Sequence, residues 1–173
     1  MRIQEKMHWA ALQAGMPGNT FSVGRQIVMR YGSLEAFWQA KDTAVIPGIS
    51  ALAREKLLVI RKTLVPEKLW EKCREKKVGV LCFLEKEYPQ ELLHFSNLPA
   101  ILFYYGSNHL LAQPGAAIVG SRRSTAYGKK MAADFSGAFA EAGLCVVSGM
   151  AKGIDAAAHE GALAAGGDTI AVL

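Results

Sequence analysis

The chain has 173 residues, 51% of them hydrophobic and 20% charged, enough apolar material for a real core and too much for disorder. No apolar run reaches the roughly 18 residues a membrane span needs, and the N-terminal MRIQEKMHWAALQAG carries charges inside its apolar pattern, so it reads as an amphipathic helix rather than a signal peptide. Cys73, Cys82 and Cys145 are scattered without metal-ligand spacing and read as free thiols of a reducing cytoplasm, while the net charge of +5 suits a polyanionic partner without singling one out.

The first part of the chain has a helical pattern. Helices are expected from about Gln4 to Ala14, Gly24 to Tyr31, Ser33 to Ala40, Ala51 to Thr63 and Glu67 to Lys77, punctuated at Met16-Pro17-Gly18, Tyr31-Gly32-Ser33 and Ile46-Pro47-Gly48. The period changes after Lys77. Val78–Leu84 and Ala100–Tyr105 are short apolar runs of strand type. From Ala116 the order is strict: strand Ala116–Val119, helix Tyr127–Ala142, strand Leu144–Val147, helix Ile154–Ala165, strand Thr169–Leu173. That is βαβαβ, and its near-continuous apolar strands predict a parallel sheet covered on both faces. Met131, Phe135, Phe139 and Ala142 fall on one stripe of the first of these helices and are expected to meet the sheet, while the Ala/Gly-rich second helix permits close approach. Two domains follow from the change of period, a helical one over 1–77 and an α/β one over 78–173.

Charge is unevenly distributed. Residues 1–108 hold 15 Lys+Arg against 10 Asp+Glu, and residues 109–173 hold 5 against 5, with four of those five cations between Arg122 and Lys130. Ligands of parallel α/β sheets sit beyond the carboxyl ends of the strands. Two loops leave such ends here, Gly120–Gly128 (GSRRSTAYG) and Ser148–Asp155 (SGMAKGID), and both combine glycines, hydroxyls and cations before a helix start. Free backbone N–H groups and the positive end of the helix dipole favour an anion there. Arg122 can fork onto phosphate oxygens and Lys152 can add a point charge. For Arg123, phosphate contact and simple solvation both remain open.

Several other chemistries are excluded or weakened by pattern. There is no G-x-G-x-x-G and no P-loop, so neither a dinucleotide nor a tightly cradled nucleoside triphosphate is indicated. Asp155 and His159 share a helix face near Ser148, but Ser148 lacks the nucleophile elbow and an Asp at a helix start ordinarily caps it, so no catalytic residue and no metal ligand is assigned. Tyr127 is the sole aromatic of the two loops, which supports phosphate grip better than base stacking. Ile46-Pro47-Gly48-Ile49-Ser50, and more weakly Met16-Pro17-Gly18-Asn19, reads either as a hairpin presenting N–H groups to phosphates or as a plain link between helices.

The runs Ala117-Ile118-Val119-Gly120-Ser121-Arg122, Tyr127-Gly128 and Val147-Ser148-Gly149-Met150-Ala151-Lys152-Gly153-Ile154-Asp155 resemble the DprA/Smf family of DNA-processing proteins. Ala158-His159, Gly161-Ala162-Leu163, Gly166-Gly167 and Thr169–Leu173 follow at the family's spacing, and Tyr88-Pro89, Pro99 and Gly106 resemble its upstream extension. The resemblance is specific from about Leu84 onward and loose over the helices, which the family uses as a sterile-alpha-motif-like or helix-hairpin-helix-like domain. It implies a Rossmann-like fold and a cytoplasmic, non-enzymatic protein without cofactor. Such a protein binds single-stranded DNA during natural transformation and loads RecA recombinase onto it. It also implies a phosphate pocket built from Gly120, Ser121, Arg122, Arg123, Ser148, Gly149 and Lys152, with Gly153 and Asp155 shaping its edge. The family's fold continues beyond Leu173 with surfaces for dimer formation and RecA contact, so the resemblance makes this chain an N-terminal fragment, with homodimerisation expected of the longer protein. Two rival readings remain: a phosphoribohydrolase-like nucleotide hydrolase on the same kind of core, and a protein-interaction fragment with a vestigial pocket.

Overall fold

The structure, a computed structural model, describes residues 1–18, 20–41 and 46–173, which form two compact units, Met1–Ser107 and Asn108–Leu173. Asn19 of the Met16–Asn19 turn and the residues leading into Ile46 lie outside the described residues.

The first unit is a cluster of helices completed by a strand pair. Its helices are α1 (Ile3–Gly15), α2 (Thr20–Tyr31), α3 (Leu34–Gln39), α4 (Ala51–Thr63) and α5 (Pro66–Glu75). The starts follow local chemistry. Ser33 and Ser50 accept hydrogen bonds from the Ala36 and Ala53 amides as N-caps of α3 and α4, and Pro66 opens α5 at the position where a missing N–H costs nothing. Helix α2 begins four residues before the expected Gly24. Expected as the helix start, that glycine is instead an interior residue, where a Cβ would overlap the Trp9 ring of α1. The turn at Ile46–Ser50 has Ile46 buried and Gly48 at φ 78°.

Strands β1 (Gly79–Cys82) and β2 (Ile101–Tyr104) pair antiparallel, with a 3-10 helix over Gln90–His94 between them. They belong to the helical unit rather than to the sheet that follows. Cys82, Ala100 and Ile101 share one core with Trp9, Leu12, Ile27 and Leu57. The Phe83 ring stands edge-on to Trp9 and Phe21, at 5.2 and 5.1 Å between centroids. Tyr88 of the connecting segment is buried, and its hydroxyl donates to the Pro99 carbonyl at 2.6 Å. The change of period at residue 78 therefore marks a change of secondary structure, whereas the compact unit continues to Ser107.

The second unit is α/β, as the sequence predicts. Strands β3 (Gly115–Ala117), β4 (Cys145–Ser148) and β5 (Thr169–Ala171) form a parallel sheet in the order β3-β4-β5, connected through α6 (Ala126–Glu141) and α7 (Ile154–Ala164). The fold is Rossmann-like. Residues Ile118 and Val172 extend the pairing by single hydrogen bonds, to Val147 and Ser148 respectively.

The inward face of α6 is not the expected Met131–Phe135–Phe139–Ala142 stripe. Phe135 is 60% exposed and Ala142 is also exposed, while Ala132 and Ser136 are buried. The reason is that α6 packs chiefly on α7, and the crossing is too close for aromatics. A Cβ on Gly161 of α7 would lie 2.7 Å from the Ala133 Cα, and the Ser136 hydroxyl donates to the Ala158 carbonyl across the interface. Phe139 alone of the two phenylalanines reaches the core, beside Val146, Ala158 and Ala162.

Candidate functional site

Two loops leave the carboxyl ends of the adjacent strands β3 and β4, one over residues 118–125 and the other over residues 149–153. A single side chain fastens them together. Asp155, buried in the first turn of α7, accepts from the Gly120 amide at 3.2 Å and from the Ala151 amide at 3.4 Å. Its charge also sits at the favourable end of the α7 dipole. Asp155 is thus committed to holding the two backbones rather than to facing solvent.

Glycine makes the remaining contacts possible. Gly153 has φ 98° and ψ −122°, and a Cβ there would overlap the Ser121 carbonyl oxygen and lie 2.9 Å from that of Arg122. On Gly120 a Cβ would lie 2.7 Å from Ile154 Cγ1, and on Gly149 it would lie 2.9 Å from Asp155 Oδ2. The chain also adopts a left-handed conformation without glycine at Met150, φ 57°, whose side chain is exposed. Such residues cost about 1–2 kcal/mol and persist where the surroundings impose them.

The hydroxyls are largely used within the framework. Ser148, buried at the end of β4, donates to the Ile118 carbonyl at 2.6 Å and joins the ends of the two strands. Ser121 closes a small turn with the Arg123 backbone, accepting from its amide at 3.1 Å. The cations are disposed differently. Arg122, Arg123 and Lys152 are exposed and take part in no ion pair among the described residues. Gly153 lies on the Ser121–Arg122 backbone, so Lys152 and Arg122 stand on either side of one contact between the loops. The predicted residues therefore divide in two: Gly120, Ser121, Ser148, Gly149, Gly153 and Asp155 build the platform, and Arg122, Arg123 and Lys152 present charge from it.

Ser148, Asp155 and His159 do not assemble with one another. His159 Nδ1 lies 2.6 Å from Thr169 Oγ1. The Thr169 hydroxyl spends its proton on the Val146 carbonyl, so the imidazole is the donor of that pair. Each of the three side chains hydrogen-bonds a different partner. Among the described residues no group of three or more His, Cys, Asp or Glu side chains could hold a metal ion, and no helix is long and apolar enough to cross a membrane.

Two contributors were not singled out by sequence. Thr125 is the N-cap of α6 and accepts from the Gly128 amide at 3.0 Å, a role its place just before a helix signals. Ile154 packs under Gly120 and Gly128 at once, which brings the amino ends of α6 and α7 together. Nothing in its local pattern announces that.

Comparison with known proteins gives a consistent set of matches. The family model of DNA recombination-mediator protein A matches residues 79–173. Protein Smf of Synechocystis sp. is 33% identical over 155 residues, covering 86% of this chain and 39% of that protein. DNA processing protein DprA of Streptococcus pneumoniae is 44% identical over 90 residues, 52% of this chain and 32% of that one. The crystal structure of DNA processing protein A from S. pneumoniae aligns with a TM-score of 0.64 at 34% identity, covering 86% of this chain and 52% of that chain. This chain thus spans about half or less of the length of each of these relatives.

Proposed function

Since the chain belongs to the DNA recombination-mediator protein A family, we propose that its paired loops grip the backbone of single-stranded DNA, with Arg122, Arg123 and Lys152 on the phosphates. The observation that carries this reading is the division of the site: three exposed cations, with no ion-pair partner among the described residues, stand on a platform whose carboxylate, Asp155, is buried and hydrogen-bonded. A surface of that kind attracts a polyanion without reading its sequence, since phosphate contacts position a strand and base contacts specify it. The two helix amino ends behind the loops add to the same field.

The wider role follows from the name of the S. pneumoniae relative, DNA processing protein DprA, and from the recombination-mediator family to which the chain belongs. In that role the chain is a binding protein of the cytoplasm, without catalysis or cofactor. It also dimerises and delivers the strand to a RecA-type recombinase during DNA uptake and recombination. Fluorescence anisotropy of a labelled oligo-dT, at two salt concentrations and with Arg122→Ala beside the unsubstituted chain, tests the core of the reading. Binding that weakens with salt and falls in the variant supports it. Binding untouched by the substitution moves the site to the Lys/Arg-rich first unit.

A further inference from the structure

We propose that Tyr127 is a base-stacking platform, and that it gives the site its preference for unpaired over paired strands. The inference rests on the DNA-binding reading above and adds a residue that grips bases rather than phosphates. Tyr127 lies in the first turn of α6, directly after the cationic loop, and is 73% exposed. None of the ring–ring or cation–ring contacts among the described residues involves it, in contrast to Trp9, Phe21, Tyr31, Phe37 and Phe83. A largely exposed aromatic with no ring or cation partner among the described residues contributes little to stability where it stands.

Its setting favours a nucleic acid base. Arg122 and Arg123 precede it and Lys129 and Lys130 follow it, so the ring is flanked on both sides in sequence by cations. Tyr127 stands two residues past Thr125, the N-cap of α6, and helical side chains lean toward the amino end of their helix, the end from which the cationic loop enters. Met150, exposed and held in its left-handed conformation, adds an apolar side chain from the second loop. Phe135, the other exposed aromatic of α6, is eight residues on, about 12 Å along the axis and away from the loops. A stacking surface beside a phosphate grip is what sequence-tolerant binding of single strands requires, and a duplex, with its bases already stacked, cannot use it.

The test compares three ligands of equal length, oligo-dT, an abasic oligonucleotide with the same number of phosphates, and a duplex, by anisotropy with the full chain. The unsubstituted protein and Tyr127→Phe should prefer oligo-dT over the abasic strand by about ten-fold. Tyr127→Ala should lose that preference through weaker oligo-dT binding, with affinity for the abasic strand, the salt dependence and the thermal unfolding midpoint unchanged. Equal weakening on oligo-dT and the abasic strand would assign the ring to holding the loop, and no change on either would assign the grip to phosphates alone. Both overturn the inference. If the unsubstituted chain binds neither strand at low salt, the DNA-binding reading itself fails and the stacking role with it, an outcome separable from the others because no variant is needed to see it.

Discussion

Gly153 lies against the Ser121 carbonyl with no room for a Cβ between them, and this contact sets how the two loops meet. The φ of 98° at Gly153 is itself one that L side chains rarely adopt. Gly153→Ala therefore meets two penalties at once, conformational and steric, and the neighbour that would have to move is backbone. A loss of about 2 kcal/mol or more is expected in urea denaturation. Oligonucleotide affinity should fall even under conditions where the variant remains folded.

Asp155→Ala separates geometry from charge. Removing the carboxylate leaves the Gly120 and Ala151 amides without their acceptor, which should destabilise the chain by about 1–3 kcal/mol. The substitution also makes the chain more positive by one charge, which by simple attraction should tighten binding to DNA. If the carboxylate serves as the clamp, affinity falls instead. Anisotropy at fixed salt decides between the two signs.

The cations should behave in the opposite way. Arg122→Ala and Lys152→Ala remove exposed side chains without ion-pair partners among the described residues, so unfolding free energy should stay within about 0.5 kcal/mol of the unsubstituted chain. Each should lower the slope of log affinity against log salt by about 0.7, the single-strand value for one phosphate contact.

At the α6–α7 crossing, Gly161→Ala sets two effects against each other. Replacing a helix interior glycine normally gains about 1 kcal/mol. Here the added methyl would run into Ala133 backbone, whose Cα lies 2.7 Å from its ideal position, and overpacking of this kind costs about 1–3 kcal/mol. Net destabilisation is expected, read as a lowered thermal midpoint without a change in the salt dependence of binding.

Tyr88 makes the first unit sensitive to alkali. Burial pushes its phenol up from 10.0 to about 12, with the negative charge of the nearby Cys82, once ionised, adding to the shift. The folded state holds that proton more tightly than the unfolded chain does. The resulting stability is complete below pH 10 and is lost between about pH 10 and pH 12. Tyr88→Phe should flatten this alkaline loss while costing about 1 kcal/mol at neutral pH through the missing bond to Pro99. Chemical denaturation across pH 8 to 12 measures both, with pH 8 as the reference below the window.

Periodicity and punctuation made most of the fold readable. The bounds of α4 match the expected Ala51–Thr63, and all five strands fall within a few residues of the apolar runs that announced them. What escaped was set by partners distant in sequence. Gly24 looks like a helix boundary until Trp9 is placed against it, and the apolar stripe of α6 looks like its buried face until α7 arrives with only small side chains. The candidate site was legible as composition but not as division of labour. Which of its residues are framework depends on hydrogen bonds such as Ser148 to Ile118, thirty positions apart in the chain, and no local pattern carries that information.

The strand pair β1–β2 has a consequence for how such chains can be reassembled in evolution. The family model begins at residue 79, yet the helices before it complete their core with Cys82, Ala100 and Ile101 from beyond that point. The unit of inheritance and the unit of folding thus overlap by about a strand pair and its connection. A lineage that exchanged the helical module for another at residue 78 would have to supply new side chains to cover Cys82, Phe83, Ala100 and Ile101, which now pack against Trp9 and its neighbours. Shuffling at Ser107 carries the whole core along and meets no such demand.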